Sequence, residues 1–168
     1  MFPKDKYLDI AMAWVILALI FLFTFRAIGS DQVPRIESYI KGFFGGLYPA
    51  RQAAALSYVP AIVFDSEQAG IDPLLIAVVI SYESAWKAGD VGPLGEKGLM
   101  QIKPRPGMKR PPESPRESIR HGVEMLSNAI RECGSVVGGL SKYQSGRCSP
   151  VIRAAKFRYR KYQEVKGG

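Results

Sequence analysis

Glu83 is the carboxylate whose neighbours could make it an acid near neutral pH. On a helix it has Ile80, Val79 and Ile76 one and two turns before it and Trp86 one turn after, so it sits among apolar side chains. Such surroundings disfavour the ionised form and raise a carboxyl pKa toward about 6, where the group can give a proton and take it back. The competing reading is a Glu at a helix end that points into water. One His and two Cys leave no cluster with metal-ligand spacing, so no protein-held metal is expected. Cys133 and Cys148 are 15 residues apart, a loop that a disulfide could close in an exported domain; two unpaired buried thiols are the alternative.

The element that must position Glu83 opens at Asp72-Pro73, an N-cap followed by Pro at the first helical position. Leu74 to Ile80 is apolar throughout, which predicts a helix buried on most of its circumference and continuing to Trp86. Before it, a helix is expected from Pro60 to Gly70, and Ile36, Ile40, Phe43, Phe44 and Leu47 give an amphipathic segment that stops near Gly45-Gly46. The Pro-rich basic stretch 103–116 predicts an exposed loop. Helical spacing returns with Ile119, Val123, Leu126 and Ile130, stops at Gly134, and resumes briefly through Val136, Val137 and Leu140 to Tyr143. Ser149-Pro150 is expected to cap a basic helix carrying Arg153, Lys156, Arg158, Arg160 and Lys161.

Two stretches of text go beyond periodicity. Glu83-Ser84-Ala85-Trp86 is followed by a Gly-rich turn and then by Gly98-Leu99-Met100-Gln101-Ile102-x-Pro104. This closely resembles the lytic transglycosylases of the lysozyme superfamily, the soluble murein transglycosylase (SLT) type, whose signature is E-S-x-W followed by G-A-x-G-L-M-Q-I-x-P. Ile71-Asp72-Pro73-Leu74-Leu75-x-Ala77 resembles the lead-in of that family, Ile119-x-x-Gly122 with Leu126 its next helix, and Tyr143-Gln144-Ser145-Gly146 its A-Y-N-A-G element. The four motifs stand in the family's order, over about residues 60 to 165.

The resemblance implies a mainly α, lysozyme-like SLT domain that cleaves the β-1,4 bond between N-acetylmuramic acid and N-acetylglucosamine of peptidoglycan without a cofactor. It implies that Glu83 is the catalytic acid/base, that Ser84, Met100, Gln101, Tyr143 and Gln144 lie in the glycan groove, and that Tyr143 orients Glu83 by a hydrogen bond. For Met100 and Trp86, ordinary core packing competes with that assignment. Three positions depart from the pattern: Gly92 stands before Pro93 where relatives often have Ser, Glu96 replaces a small Ala, and Gln144 replaces Asn.

The product turns on a second carboxylate. An inverting hydrolase needs a base about 6.5 to 9.5 Å from the acid, and a retaining one a nucleophile at about 5 to 5.5 Å. Asp90 and Glu96 are the nearby candidates. Asp90 after Gly89 resembles the G-D element of goose-type lysozymes, which hydrolyse, whereas the spacing from Glu83 to Gly98 is that of the soluble transglycosylases, which form a 1,6-anhydro ring. The departures also leave room for a catalytically weak peptidoglycan-binding scaffold of an envelope-spanning or phage delivery machine.

Upstream, Ile10 to Phe25 is a run of 16 uncharged residues, and Tyr7 to Ile28 as a helix would reach about 33 Å, enough for one membrane pass. Residues 1–29 are therefore expected to be a transmembrane signal-anchor, with a cleaved signal peptide as the alternative; 30–59 a juxtamembrane amphipathic linker; and 60–168 the catalytic domain. Lys4 and Lys6 before the span are balanced by Arg26, Arg35 and Lys41 after it, so charge does not orient it. Peptidoglycan chemistry would put the domain on the periplasmic or cell-wall side, or on a virion. The net charge of +8 suits anionic stem peptides or lipid headgroups. Nucleic acid is not expected, since that reading leaves the Glu83 and Gly98 motifs as accidents.

Overall fold

The computed structural model describes residues 14–15, 31–104, 111–149 and 151–167. Among them the chain forms α1 (Gln32–Phe44), α2 (Pro49–Ser57), α3 (Val59–Ala69), α4 (Pro73–Glu83), α5 (Pro115–Cys133), α6 (Val136–Ser145) and α7 (Arg153–Gly167). The expected signal-anchor lies outside the described residues apart from Trp14 and Val15; among the described residues no helix is long and apolar enough to cross a membrane.

Helix α4 has no polar face to offer to water, so the other helices must cover it. Pro73 through Ser81 are all buried, and burying one large aliphatic side chain contributes about 2 kcal/mol. Asp72 starts the helix, its Oδ1 accepting the Leu74 N–H at 2.9 Å. Its Oδ2 accepts from the Tyr162 hydroxyl at 2.8 Å, which ties α7 to the same end. The helix stops at Glu83, three residues short of the expected Trp86, because Ala85 (φ 48°) and Trp86 (φ 64°) adopt left-handed backbone. That conformation costs an L residue about 1 to 2 kcal/mol. It folds the Trp86 indole into the core, where Nε1 donates to Ser81 Oγ at 2.9 Å.

The segment expected as a linker is instead part of this core. Ile36, Ile40 and Phe44 of α1 and Ala55 of α2 are buried, and α1 packs on α3 and α4. Periodicity correctly marked an apolar face on α1 but could not say what covers it. Helix α2 had no counterpart in the sequence reading. The basic helix also begins later than its expected cap: α7 starts at Arg153, and the Ser149 N–H donates to Ser141 Oγ of α6 instead.

Helices α5 and α6 approach closely. A Cβ at Gly139 would come within 2.7 Å of the Ile130 backbone, so only glycine allows this crossing. Cys133 and Cys148 form a disulfide with Cα atoms 5.5 Å apart, closing a loop that contains the whole of α6. On the loop-entropy relation such a loop is worth about 3 kcal/mol. Replacing both cysteines by serine should lower the unfolding free energy by about that amount in urea titration; an unchanged midpoint would assign the bond no stabilising role.

Candidate active site

At the end of α4 the left-handed turn at Ala85 and Trp86 leads into the loop 87–102, which folds back as a small β-like arch through the bridges Val91 to Lys97 and Lys97 to Ile102. Gly98 (φ 77°) turns the chain where a Cβ would lie 2.9 Å from Ser118 Oγ. That hydroxyl instead accepts the Met100 N–H at 3.1 Å, docking the arch on α5. On α5 itself, a Cβ at Gly122 would overlap the Met100 side chain.

This packing separates the motif residues into two groups. Ser84 and Met100, both expected in the groove, are buried: Ser84 Oγ donates to the Leu99 carbonyl at 2.8 Å, and Met100 is 0% exposed against Gly122. They brace the arch from beneath. Trp86 is likewise a core residue. Glu83, Gln101, Tyr143 and Gln144 come together around a cleft of about 490 Å³, joined by Pro93, Glu96, Lys103, Met125, Ser145 and Gly146. Of the two second-carboxylate candidates, Glu96 shares this cleft; Asp90 lines a separate depression with Gly89, Val91 and Pro111 to Ser114. The Asp90 carbonyl accepts from Gln101 Nε2 at 3.2 Å and from the Gly98 N–H at 3.0 Å.

Gln101 is the best-fixed wall residue. Its backbone is left-handed (φ 48°), and its Nε2 also donates to the Gly98 carbonyl at 2.9 Å. With both amide protons engaged, the side chain offers its Oε1 as an acceptor. Tyr143 comes after it in the motif order and is tied to the arch. Its hydroxyl donates to the Met100 carbonyl at 2.6 Å, so its one proton is committed there and toward Glu83 the oxygen can only accept. Gln144 also lines the cleft, and its buried Nε2 has no acceptor among the described residues.

The partner that reaches Glu83 is Arg158 of α7, Nη2 to Oε1 at 3.2 Å, with the side chains 11% and 14% exposed. The same Nη2 donates to the Tyr82 carbonyl at 3.3 Å. Tyr82 stacks edge-on with Phe157 at 5.0 Å between ring centres, which holds α7 beside the end of α4. In the sequence Arg158 is one residue of a basic stripe with Arg153, Lys156, Arg160 and Lys161. The available signal was its spacing with Ala155 and Tyr162, which form the buried side of α7. Burial, the largest influence, raises the Glu83 pKa above the ordinary carboxylate value; Arg158 pulls it down and Glu96 pushes it up. A carboxyl so balanced is suited to exchange a proton in both directions.

The family model of the transglycosylase SLT domain matches residues 61–164. Comparison with curated proteins and with solved structures returned no match. With more than half of the chain covered by that match, and Glu83, Gln101, Tyr143 and Gln144 gathered around one cleft, the chain belongs to the transglycosylase SLT family of the lysozyme-like superfamily.

Proposed function

We propose that this protein is a peptidoglycan lytic transglycosylase in which Glu83 alone serves as acid and base. The observation that carries the reading is a mostly shielded carboxyl at the cleft wall, paired with Arg158 at 3.2 Å and gathered there with Gln101, Tyr143 and Gln144. Protonated Glu83 donates to the oxygen linking N-acetylmuramic acid to N-acetylglucosamine, and the bond from that oxygen to the muramic C1 breaks. Positive charge grows at C1 as Glu83 becomes a carboxylate beside Arg158. The muramic C6 hydroxyl then attacks C1, and Glu83 takes its proton, which restores the acid and closes a 1,6-anhydro ring. No water is consumed.

Mass spectrometry of muropeptides released from purified peptidoglycan tests this. The expected products are two hydrogens and one oxygen lighter than hydrolytic ones. Predominantly reducing-end products would replace the reading by that of a lysozyme, for which Glu96 is the carboxylate in the cleft. The membrane anchor at 1–29, with the domain on the periplasmic or cell-wall side, belongs to the same proposal and rests on the length of the apolar run.

A further inference from the structure

No backbone demand holds position 92 to glycine, and the space a side chain there would enter is taken by the ends of two neighbouring side chains. Gly92 is not among the glycines with positive φ, so its conformation is open to any residue. A Cβ there would instead lie 2.5 Å from Glu96 Oε2, 2.8 Å from Gln101 Oε1 and 3.2 Å from Glu96 Cβ. The Glu96 side chain thus takes the volume that a side chain at position 92 would need. The turn between them is clamped: the Gly92 N–H donates to the Glu96 carbonyl at 2.8 Å, the Gly95 N–H to the Gly92 carbonyl at 3.1 Å, and the Leu94 N–H to Glu96 Oε2 at 2.9 Å. A carboxylate oxygen can accept a second donor, and Gln101 presents an acceptor next to it.

We propose that Gly92 and Glu96 act as one unit, in which the glycine clears the place where the Glu96 carboxylate and Gln101 Oε1 together accept a hydroxyl or amide N–H of the sugar held against Glu83. N-acetylated amino sugars supply both kinds of donor. The inference rests on the reading of this cleft as a peptidoglycan-cleaving site and adds to it a substrate-contacting carboxylate of fixed position. The second role of Glu96 is electrostatic: with Arg158, Lys103 and Tyr143 it is one of the titratable groups around Glu83, and the only anion among those four. Its charge favours the protonated acid before cleavage and stabilises the positive charge that grows at the reacting carbon as the bond breaks.

Four variants test the unit: Glu96→Gln, Glu96→Ala, Gly92→Ser, and Gly92→Ser with Glu96→Ala. Glu96→Gln should lose about 10- to 100-fold in kcat/KM, the range for one hydrogen bond to a charged group. It should also move the alkaline limb of the pH profile to lower pH, because Glu83 loses an anionic neighbour while Arg158 and Lys103 remain. A purely structural Glu96 would not move that limb. Gly92→Ser should lose comparably, because it displaces the Glu96 carboxylate, and the double variant should lose no more than either single change, since the acceptor it would displace is already gone. Binding is read separately in a Glu83→Gln background with soluble, uncrosslinked glycan strands, where adding Glu96→Gln should weaken affinity by about tenfold or more. Additive losses in the double variant, or a Glu96→Gln protein within twofold of wild type in binding and rate, would overturn the proposal. So would conversion from reducing-end to anhydro products on Glu96→Gln, which would make Glu96 the base that activates water. A wild-type protein that binds strands through Glu96 without cutting them would sink the enzymatic reading and leave the acceptor pair standing.

Discussion

Glu83→Gln should abolish release of muropeptides, with a loss of at least about 10³-fold, while the far-UV circular dichroism of the folded protein is kept. The amide is close to isosteric with the carboxyl and can still meet Arg158 Nη2 through its oxygen, now 3.2 Å from Oε1. What it cannot do is give up and recover a proton. General acid or base catalysis typically supplies about 10² to 10⁴-fold per role, and here one side chain holds both roles. Glu83→Asp is the finer probe, because it keeps the chemistry and withdraws the carboxyl by one methylene. A misplacement of about 1 Å can cost about 10²-fold, so the aspartate should fall between wild type and glutamine. Retention of a tenth of the wild-type rate by Glu83→Gln would remove Glu83 from the mechanism.

The parts of this molecule that were legible from sequence are those in which local text decides the outcome. Asp72-Pro73 followed by Leu74 to Ile80 announces α4, because a capped apolar run has few other ways to satisfy its backbone and hide its side chains. Its end was misread by three residues, since the left-handed turn at Ala85 and Trp86 is imposed by burial of the indole and neither residue favours that backbone. Helix α1 was legible as amphipathic and illegible as core, because its cover, α3 and α4, is separated from it in sequence. The cleft shows the same division. Motif spacing located Glu83, Gln101, Tyr143 and Gln144, yet the same motifs contain Ser84 and Met100, which hold the arch up from below. A motif marks residues that the local structure requires; it does not distinguish the side chain that faces substrate from the one that braces it. Arg158 and the pairing of Gly92 with Glu96 lie beyond such reading, since both arise from contacts made only when the loop and the last helix close on α4.

Arg158→Met should make both stability and activity respond differently to pH. A carboxyl whose folded pKa is raised binds its proton more tightly in the folded than in the unfolded state, so its contribution favours folding at low pH. That contribution falls as pH climbs from the ordinary carboxylate value through the raised one. Arg158 limits the penalty by pairing with the ionised form at 3.2 Å. Without it, Glu83 holds its proton to higher pH, and once ionised it is a buried charge with no cation of its own. Near pH 4, where Glu83 is protonated, wild-type Arg158 is itself a largely buried charge facing a neutral acid, and methionine should cost little or even stabilise. Toward pH 8, as Glu83 ionises, the variant should lose stability relative to wild type, by up to about 3 kcal/mol, the lower end of the cost of stripping a buried charge of its partner. Urea titrations at the two pH values measure the difference. In activity, the alkaline limb that reports loss of the Glu83 proton should move to higher pH, opposite to the shift expected for Glu96→Gln. The maximal rate should fall because the carboxylate formed on cleavage is no longer stabilised. Arg158→Lys should recover part of the pH shift, since it restores the charge, and less of the stability, since the shorter lysine stem does not carry its nitrogen as far as the Nη2 that meets both Glu83 and the Tyr82 carbonyl. Equal stability deficits at pH 4 and pH 8 would show that Arg158 serves packing alone and that Glu83 is tuned by burial and Glu96 without it.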